Sequence, residues 1–110
     1  MTQEEKQLLL KDLCARLLYE VILLSSNNKI TYQTDGNTAA ELLIEEGWKP
    51  YLRSMSSMTE EEKKEYEKCY QSDDTTTATL LIDFYNKKHF DYRGLIKMNL
   101  AIEAPEGIYN

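Results

Sequence analysis

One histidine, two cysteines, four glycines and two prolines are all that the sequence holds of the residues that most often build metal cages, redox pairs, phosphate cradles and linkers. His89 alone excludes a histidine-based metal cage, and Cys14 and Cys69 stand far apart, without the spacing of a zinc or CxxC motif. The four scattered glycines form no GxxxxGK[ST], GxGxxG or GxSxG pattern. The longest uninterrupted apolar stretch, Val21–Leu24, is far too short to span a bilayer. The opening Met-Thr-Gln-Glu-Glu-Lys is acidic where a secretory leader is basic. The expectation is therefore a cytoplasmic chain without metal or organic cofactor, with both cysteines reduced and buried.

The 110 residues fall within the usual size of one domain, and 42% hydrophobic with 29% charged residues is the composition of a chain that folds. We expect a single domain over 1–110. The formal charge is −6. Between Thr59 and Asp74 stand Glu60, Glu61, Glu62, Glu65, Glu67, Asp73 and Asp74 against three lysines. Such a surface repels phosphate backbones, so nucleic acid is a disfavoured partner. The exception to weigh is Lys87, Lys88, Arg93 and Lys97, gathered around Asp91, which would serve a nucleic-acid accessory. The plainer reading gives Lys87, Lys88 and His89 to the negative end of a helix dipole. Glu60, Glu61 and Glu62 could in principle meet a hard cation, but adjacent helical residues diverge in direction, and a solvated first turn is the simpler account.

Three capping-box patterns, Thr2–Glu5, Thr38–Glu41 and Thr59–Glu62, mark helix starts. Leu9, Leu10, Leu13, Cys14, Leu17 and Leu18 then repeat at three- and four-residue spacing, predicting an amphipathic helix over about 3–18. Residues 20–25 and 29–34, rich in Val, Ile, Leu, Thr and Tyr around Asn27-Asn28, predict a β-hairpin over about 20–34, its first strand central. Asp35-Gly36 is a second turn signal, and a short helix over 39–46 should end at Gly47. Residues 48–53 read as a strand that Pro50 confines to the edge of a small antiparallel sheet. Helices over about 60–70 and 78–88 follow, the first on the surface, with a polar loop at 71–77. In the last quarter Asp91 is spaced to cap a short helix by accepting from the amides of Arg93 or Gly94. Phe90 and Leu95 would form a hydrophobic staple, and Asn99 would end that helix in a left-handed conformation. An extended segment at 100–102 and a turn at Pro105–Gly107 complete an α+β fold.

Eight tyrosines, one tryptophan and two phenylalanines give the chain an unusual stock of polar-tipped aromatics. Trp48, Tyr51 and Arg53, and again Tyr92 and Arg93, have the composition of a protein-binding surface. The competing account is that they fill a core short of phenylalanine. Catalysis is not expected. Its one opening is His89 paired with Cys69 or Asp91 as nucleophile and base, an enzyme or enzyme-inhibitor reading.

Three blocks carry a resemblance. Residues 8–17 read Leu-Leu-Leu-Lys-Asp-Leu-Cys-Ala-Arg-Leu, and residues 49–62 read Lys-Pro-Tyr-Leu-Arg-Ser-Met-Ser-Ser-Met-Thr-Glu-Glu-Glu. Within 89–109 stand His-Phe-Asp-Tyr-Arg-Gly-Leu-Ile and Leu-Ala-Ile-Glu-Ala-Pro-Glu-Gly-Ile-Tyr. Together they resemble a family of short proteins encoded by gut Bacteroidetes and their prophages. That family has no assigned activity, so no catalytic residue transfers. The sequence departs from it at Leu18, Glu20 and Ser54, where the family tends to carry Pro or Gly. The resemblance implies a mobile-element accessory. Taken with the aromatic–arginine clusters, it leads us to expect a small protein that acts by binding a bacterial or phage protein.

Overall fold

The computed structural model describes residues 1–16, 19–32, 37–71 and 74–109. Its architecture is α+β: several helices around a four-stranded mixed sheet. Helix α1, Gln3–Ala15, starts on the expected capping box, with Glu5 N–H donating to the Thr2 hydroxyl and Thr2 N–H donating to the Glu5 carboxylate. Arg16 is its C-cap, so the helix stops short of the expected end, and Leu17 and Leu18 lie outside the described residues.

The hairpin is present. Strands β1 (Ile22–Leu24) and β2 (Ile30–Tyr32) pair antiparallel with Leu23 opposite Thr31. Asn28 turns the chain at φ 62°, a conformation asparagine tolerates. The turn signal at Asp35-Gly36 lies outside the described residues. Helix α2 runs Asn37–Glu45, which places Thr38 inside the first turn and not at the cap that its capping-box pattern predicts. Gly47 ends α2 as expected: at φ 85° it donates to Ile44 C=O, while Trp48 N–H donates to Leu43 C=O. That pair of bonds is a Schellman cap.

Strand β3 (Lys49–Leu52) corrects the edge assignment. The strand order is β2-β1-β3-β4, with β4 at Ile102–Glu103, so β3 is an inner strand. Pro50 is tolerated there because β4 pairs with β3 only from Tyr51 onward. Leu52 C=O accepts from Ala104 N–H on the β4 side, and alternation turns the Pro50 nitrogen to that same side, ahead of the point where β4 begins. The sheet is also mixed and not wholly antiparallel. The helical excursion between β3 and β4 returns the chain to the same end of the sheet, so these two strands run parallel.

After a 3-10 turn at Met55–Ser57, helix α3 (Glu60–Lys68) starts on the Thr59–Glu62 capping box and passes into a second 3-10 turn, Cys69–Gln71. Helix α4 spans Asp74–Lys87, so the stretch expected as a polar loop is largely its first turn. Asp and Thr favour helix starts because their side chains serve the free amides there. His89 closes α4 at φ 63°, donating to Asn86 C=O while Phe90 N–H donates to Tyr85 C=O. This is a Schellman cap built on histidine.

The short helix expected after Asp91 does not form. Residues 91–101 are turns, because Gly94 at φ 74° breaks the run just where the helix would begin. The Asp91 carboxylate accepts from Leu95 N–H at 2.7 Å and Ile96 N–H at 3.0 Å, two residues beyond the expected amides. A single turn follows, closed by Asn99 at φ 60° with Leu100 N–H donating to Leu95 C=O. Phe90 and Leu95 enter different cores instead of forming a staple.

Those two cores organise the molecule. The aliphatic one gathers Leu9, Leu13, Val21, Leu23, Ile44, Leu52, Leu95 and Leu100 from α1, the sheet, α2 and the last quarter. The aromatic one gathers Cys69, Phe84 and Phe90, with Tyr66, Leu81 and Tyr85 against them. Cys69 is buried as expected, while Cys14 is half-buried.

Candidate functional site

The expected aromatic–arginine residues turn inward. Tyr51 is only 8% exposed. Trp48 is half-buried against the aliphatic core and its indole N–H donates to Glu46 at 3.2 Å. Arg53 lies over the Phe90 ring at 4.4 Å and grips Glu62 through two 2.7 Å hydrogen bonds, with a third to Ser57 C=O. Tyr92 stacks on Tyr85 at 5.3 Å and donates to the Asn86 side chain. Arg93 spans Tyr92 and Asp12, 2.7 Å from each. The two sequence clusters, Trp48–Arg53 and Tyr92–Arg93, therefore serve internal contacts and do not form one exposed patch.

Sequence reasoning missed the residues at the centre of this arrangement. Asp12 and Arg16 are both fully buried on α1. Arg16 makes hydrogen bonds of 2.9 and 3.1 Å to Asp12 and reaches Phe90 C=O at 2.7 Å, so it ties α1 to the end of α4. Arg93 adds a second cation on Asp12. A signal existed: Leu9, Asp12, Leu13 and Arg16 fall at i, i+3, i+4 and i+7, the spacing of one helix face. Charged residues on an apolar stripe point to a buried pair.

The cationic cluster is partly neutralised. Lys88 stands 3.8 Å from Glu65 and Arg93 is paired with Asp12, while Lys87 and Lys97 are exposed. Beside Lys88 a groove of about 570 Å³ opens between α3 and residues 103–107. Glu61, Glu62, Glu65, Glu103 and Glu106 line it against two cations, Arg53 and Lys88. Hydrogen bonds from Arg53 chiefly, aided by the Thr59 amide, hold the Glu62 carboxyl down at about 2 despite its burial. The groove thus keeps a negative excess.

Tyr109 also lines a second cavity, of about 390 Å³, with Tyr19, Glu20, Ile22, Lys87, His89 and Ile108. His89 stacks on Tyr109 with ring centres 3.8 Å apart and planes 15° from parallel. Its Nδ1 is enclosed and has no hydrogen-bond partner among the described residues. Burial first, then the charges of Arg16 and Arg53, push the imidazole down to about 4. At neutral pH it is uncharged, and an enclosed nitrogen without an acceptor favours the tautomer with the proton on Nε2. Neither expected partner of His89 is available to it. The Asp91 carboxylate is engaged by two amides, and the Cys69 thiol donates to Glu65 C=O.

Tyr109 itself is the other residue the sequence did not single out. Its hydroxyl accepts from Ile22 N–H at 3.0 Å and donates to Tyr51 C=O at 2.6 Å, joining β1 to β3. Burial pushes its phenol up to about 12. Among the described residues no group of three or more His, Cys, Asp or Glu could hold a metal ion, and no helix is long and apolar enough to cross a membrane. Comparison with protein-family models, curated proteins and solved structures finds no match.

Proposed function

We propose that the chain is a small protein-binding domain that receives a lysine- or arginine-bearing segment of a partner protein in the groove between α3 and residues 103–107. The observation that carries the reading is the groove's charge: five carboxylates against two cations, and both cations already engaged by glutamates of the same groove. Glu61, Glu103 and Glu106 are exposed and complement a basic partner. This moves the contact surface away from Trp48, Tyr51, Tyr92 and Arg93, and keeps Arg53 only as a lining cation already paired with Glu62. Within this reading the chain is a cytoplasmic accessory of a mobile element, as the resemblance implies.

The reading as an enzyme or enzyme inhibitor acting through His89 has less behind it. A general base needs a poised proton affinity and an orienting partner. His89 sits at about 4 with its inner nitrogen unpartnered among the described residues. A nucleic-acid role is opposed by the groove's sign and by the pairing of Lys88 and Arg93.

The test is fluorescence anisotropy with a short Lys/Arg-rich peptide and its Asp/Glu-rich counterpart. The basic peptide should bind, weaken as salt rises, and be lost with the paired change Glu61→Lys and Glu106→Lys while thermal stability holds. Equal binding of the two peptides, or full retention in the paired variant, overturns the reading.

A further inference from the structure

Strands β1 and β3 are paired at only two positions, Leu23 with Pro50 and Leu24 with Lys49. One step further the ladder would join Ile22 to Tyr51, but the strands part and the Tyr109 hydroxyl stands between them. It receives the Ile22 N–H and gives its proton to Tyr51 C=O, so one donor and one acceptor of the main chain meet one phenol hydroxyl. The ring lies flat on His89, which the Schellman cap of α4 fixes in place. A donor, an acceptor and a flat aromatic wall are the elements of a recognition site, and a side chain of the same chain fills it.

The attachment of that side chain is slender. Pro105, Glu106 and Gly107 are exposed. Among the described residues, the segment from Pro105 to Tyr109 is held to the rest of the molecule by side-chain hydrogen bonds from Tyr109 alone. Tyr109 also lines both the acidic groove and the His89 cavity.

We propose that the slot between Ile22, Tyr51 and His89 is a binding site for a para-substituted phenol, occupied in cis by Tyr109 and open to exchange with a phenol from outside. The outside ligand is either a small phenol or the tyrosyl side chain of a partner segment. The slot rests on its own geometry and stands whether or not the groove binds basic segments.

The experiment uses the full chain carrying Tyr109→Ala and three probes: p-cresol, toluene, and the peptide Glu-Gly-Ile-Tyr-Asn. His89 is the only histidine, so its imidazole resonance reports occupancy directly. p-Cresol should shift that resonance and raise the melting temperature, with toluene at least about tenfold weaker because it can make neither hydrogen bond. A shift by p-cresol alone identifies small phenols as the ligand class, and a shift by the peptide as well identifies tyrosyl side chains. Equal binding of toluene and p-cresol, or no effect of any probe on the folded variant, overturns the proposal. Should Tyr109→Ala fail to fold, hydrogen exchange on the unaltered protein decides. The Ile22 amide must then open at least about tenfold more often than the Leu13 amide on α1. Exchange of both only through global unfolding overturns an exchangeable ring.

Discussion

Arg16 and Arg53 approach the same short segment, residues 89–91, from opposite sides, and the contrast between them explains much of the molecule. Arg16 is enclosed, shares Asp12 with Arg93, and supports the segment through Phe90 C=O. Arg53 lies at the rim, covers the Phe90 ring, pairs with Glu62, and joins the segment through its own backbone, donating to His89 C=O and accepting from Asp91 N–H. An enclosed charge has no water to fall back on when its partner is lost, whereas a rim charge does. The same residue type is thus a structural necessity in one place and a modest clamp in the other.

The largest effect should come from removing the buried counter-charge. Asp12→Ala leaves Arg16 enclosed and unpaired and should cost about 3–5 kcal/mol in urea unfolding. Glu62→Ala removes a rim pair and half of a capping box and should cost about 1–2 kcal/mol. Equal costs would mean that burial does not separate the two arginines.

Acid should then divide the contrast into two windows. The His89 imidazole, at about 4 when folded against an ordinary 6.5, stays neutral in the fold while the unfolded chain takes up a proton. Stability is therefore complete above 6.5 and falls as pH drops from 6.5 to 4, by at most about 1.4 kcal/mol per pH unit. Glu62 shifts from 4.5 to about 2, so its contribution is complete above 4.5 and is lost as pH falls from 4.5 to 2. His89→Asn, which tolerates the left-handed backbone, should flatten the first window, and Glu62→Gln the second. Chemical denaturation across pH checks both, and a first window that persists in His89→Asn would assign it to another group.

The smallest effect belongs to Asp91. Both of its carboxylate oxygens are used, one by each amide. Asp91→Ala should cost about 1 kcal/mol, and Asp91→Asn, which keeps one acceptor, about 0.5 kcal/mol. An asparagine variant as stable as the parent would show that the Ile96 bond contributes nothing.

What the sequence discloses here is what is decided within a few residues. The capping boxes at Thr2 and Thr59, the turn at Asn28, and the chain reversals at Gly47, His89 and Asn99 all depend on neighbours, and all could be read. The pattern at Thr38 lies just inside the helix start, which is at Asn37. The position of β3 could not be read from Pro50, since an inner place depends on where β4, some fifty residues later, begins to pair. The helix after Asp91 failed at Gly94, whose left-handed backbone outweighed the spacing of the cap. Of the candidate site, Arg53 and Arg93 were noticed for their aromatic neighbours. Arg93 does rest on its neighbour Tyr92, whereas Arg53 rests on Phe90, distant in sequence. The Arg16–Asp12 pair is legible in the i,i+4 spacing of an apolar helix face, but the bonds of Arg16 to Phe90 and of Tyr109 to Ile22 and Tyr51 join residues distant in sequence.

The enclosed guanidinium of Arg16 has a consequence for how the chain comes apart. Among the described residues the aliphatic and aromatic cores share no buried residue, and two such clusters can melt separately. Arg16 belongs to the helix that anchors the first and is bonded to the carbonyl of Phe90, which lies in the second. Melting either cluster alone breaks the Arg16–Phe90 bond while Asp12 keeps the guanidinium paired, so partial melting of either side loses a contact made by both. A polar contact of this kind turns two clusters into one cooperative unit, with a single unfolding transition where its neutral replacement would permit two.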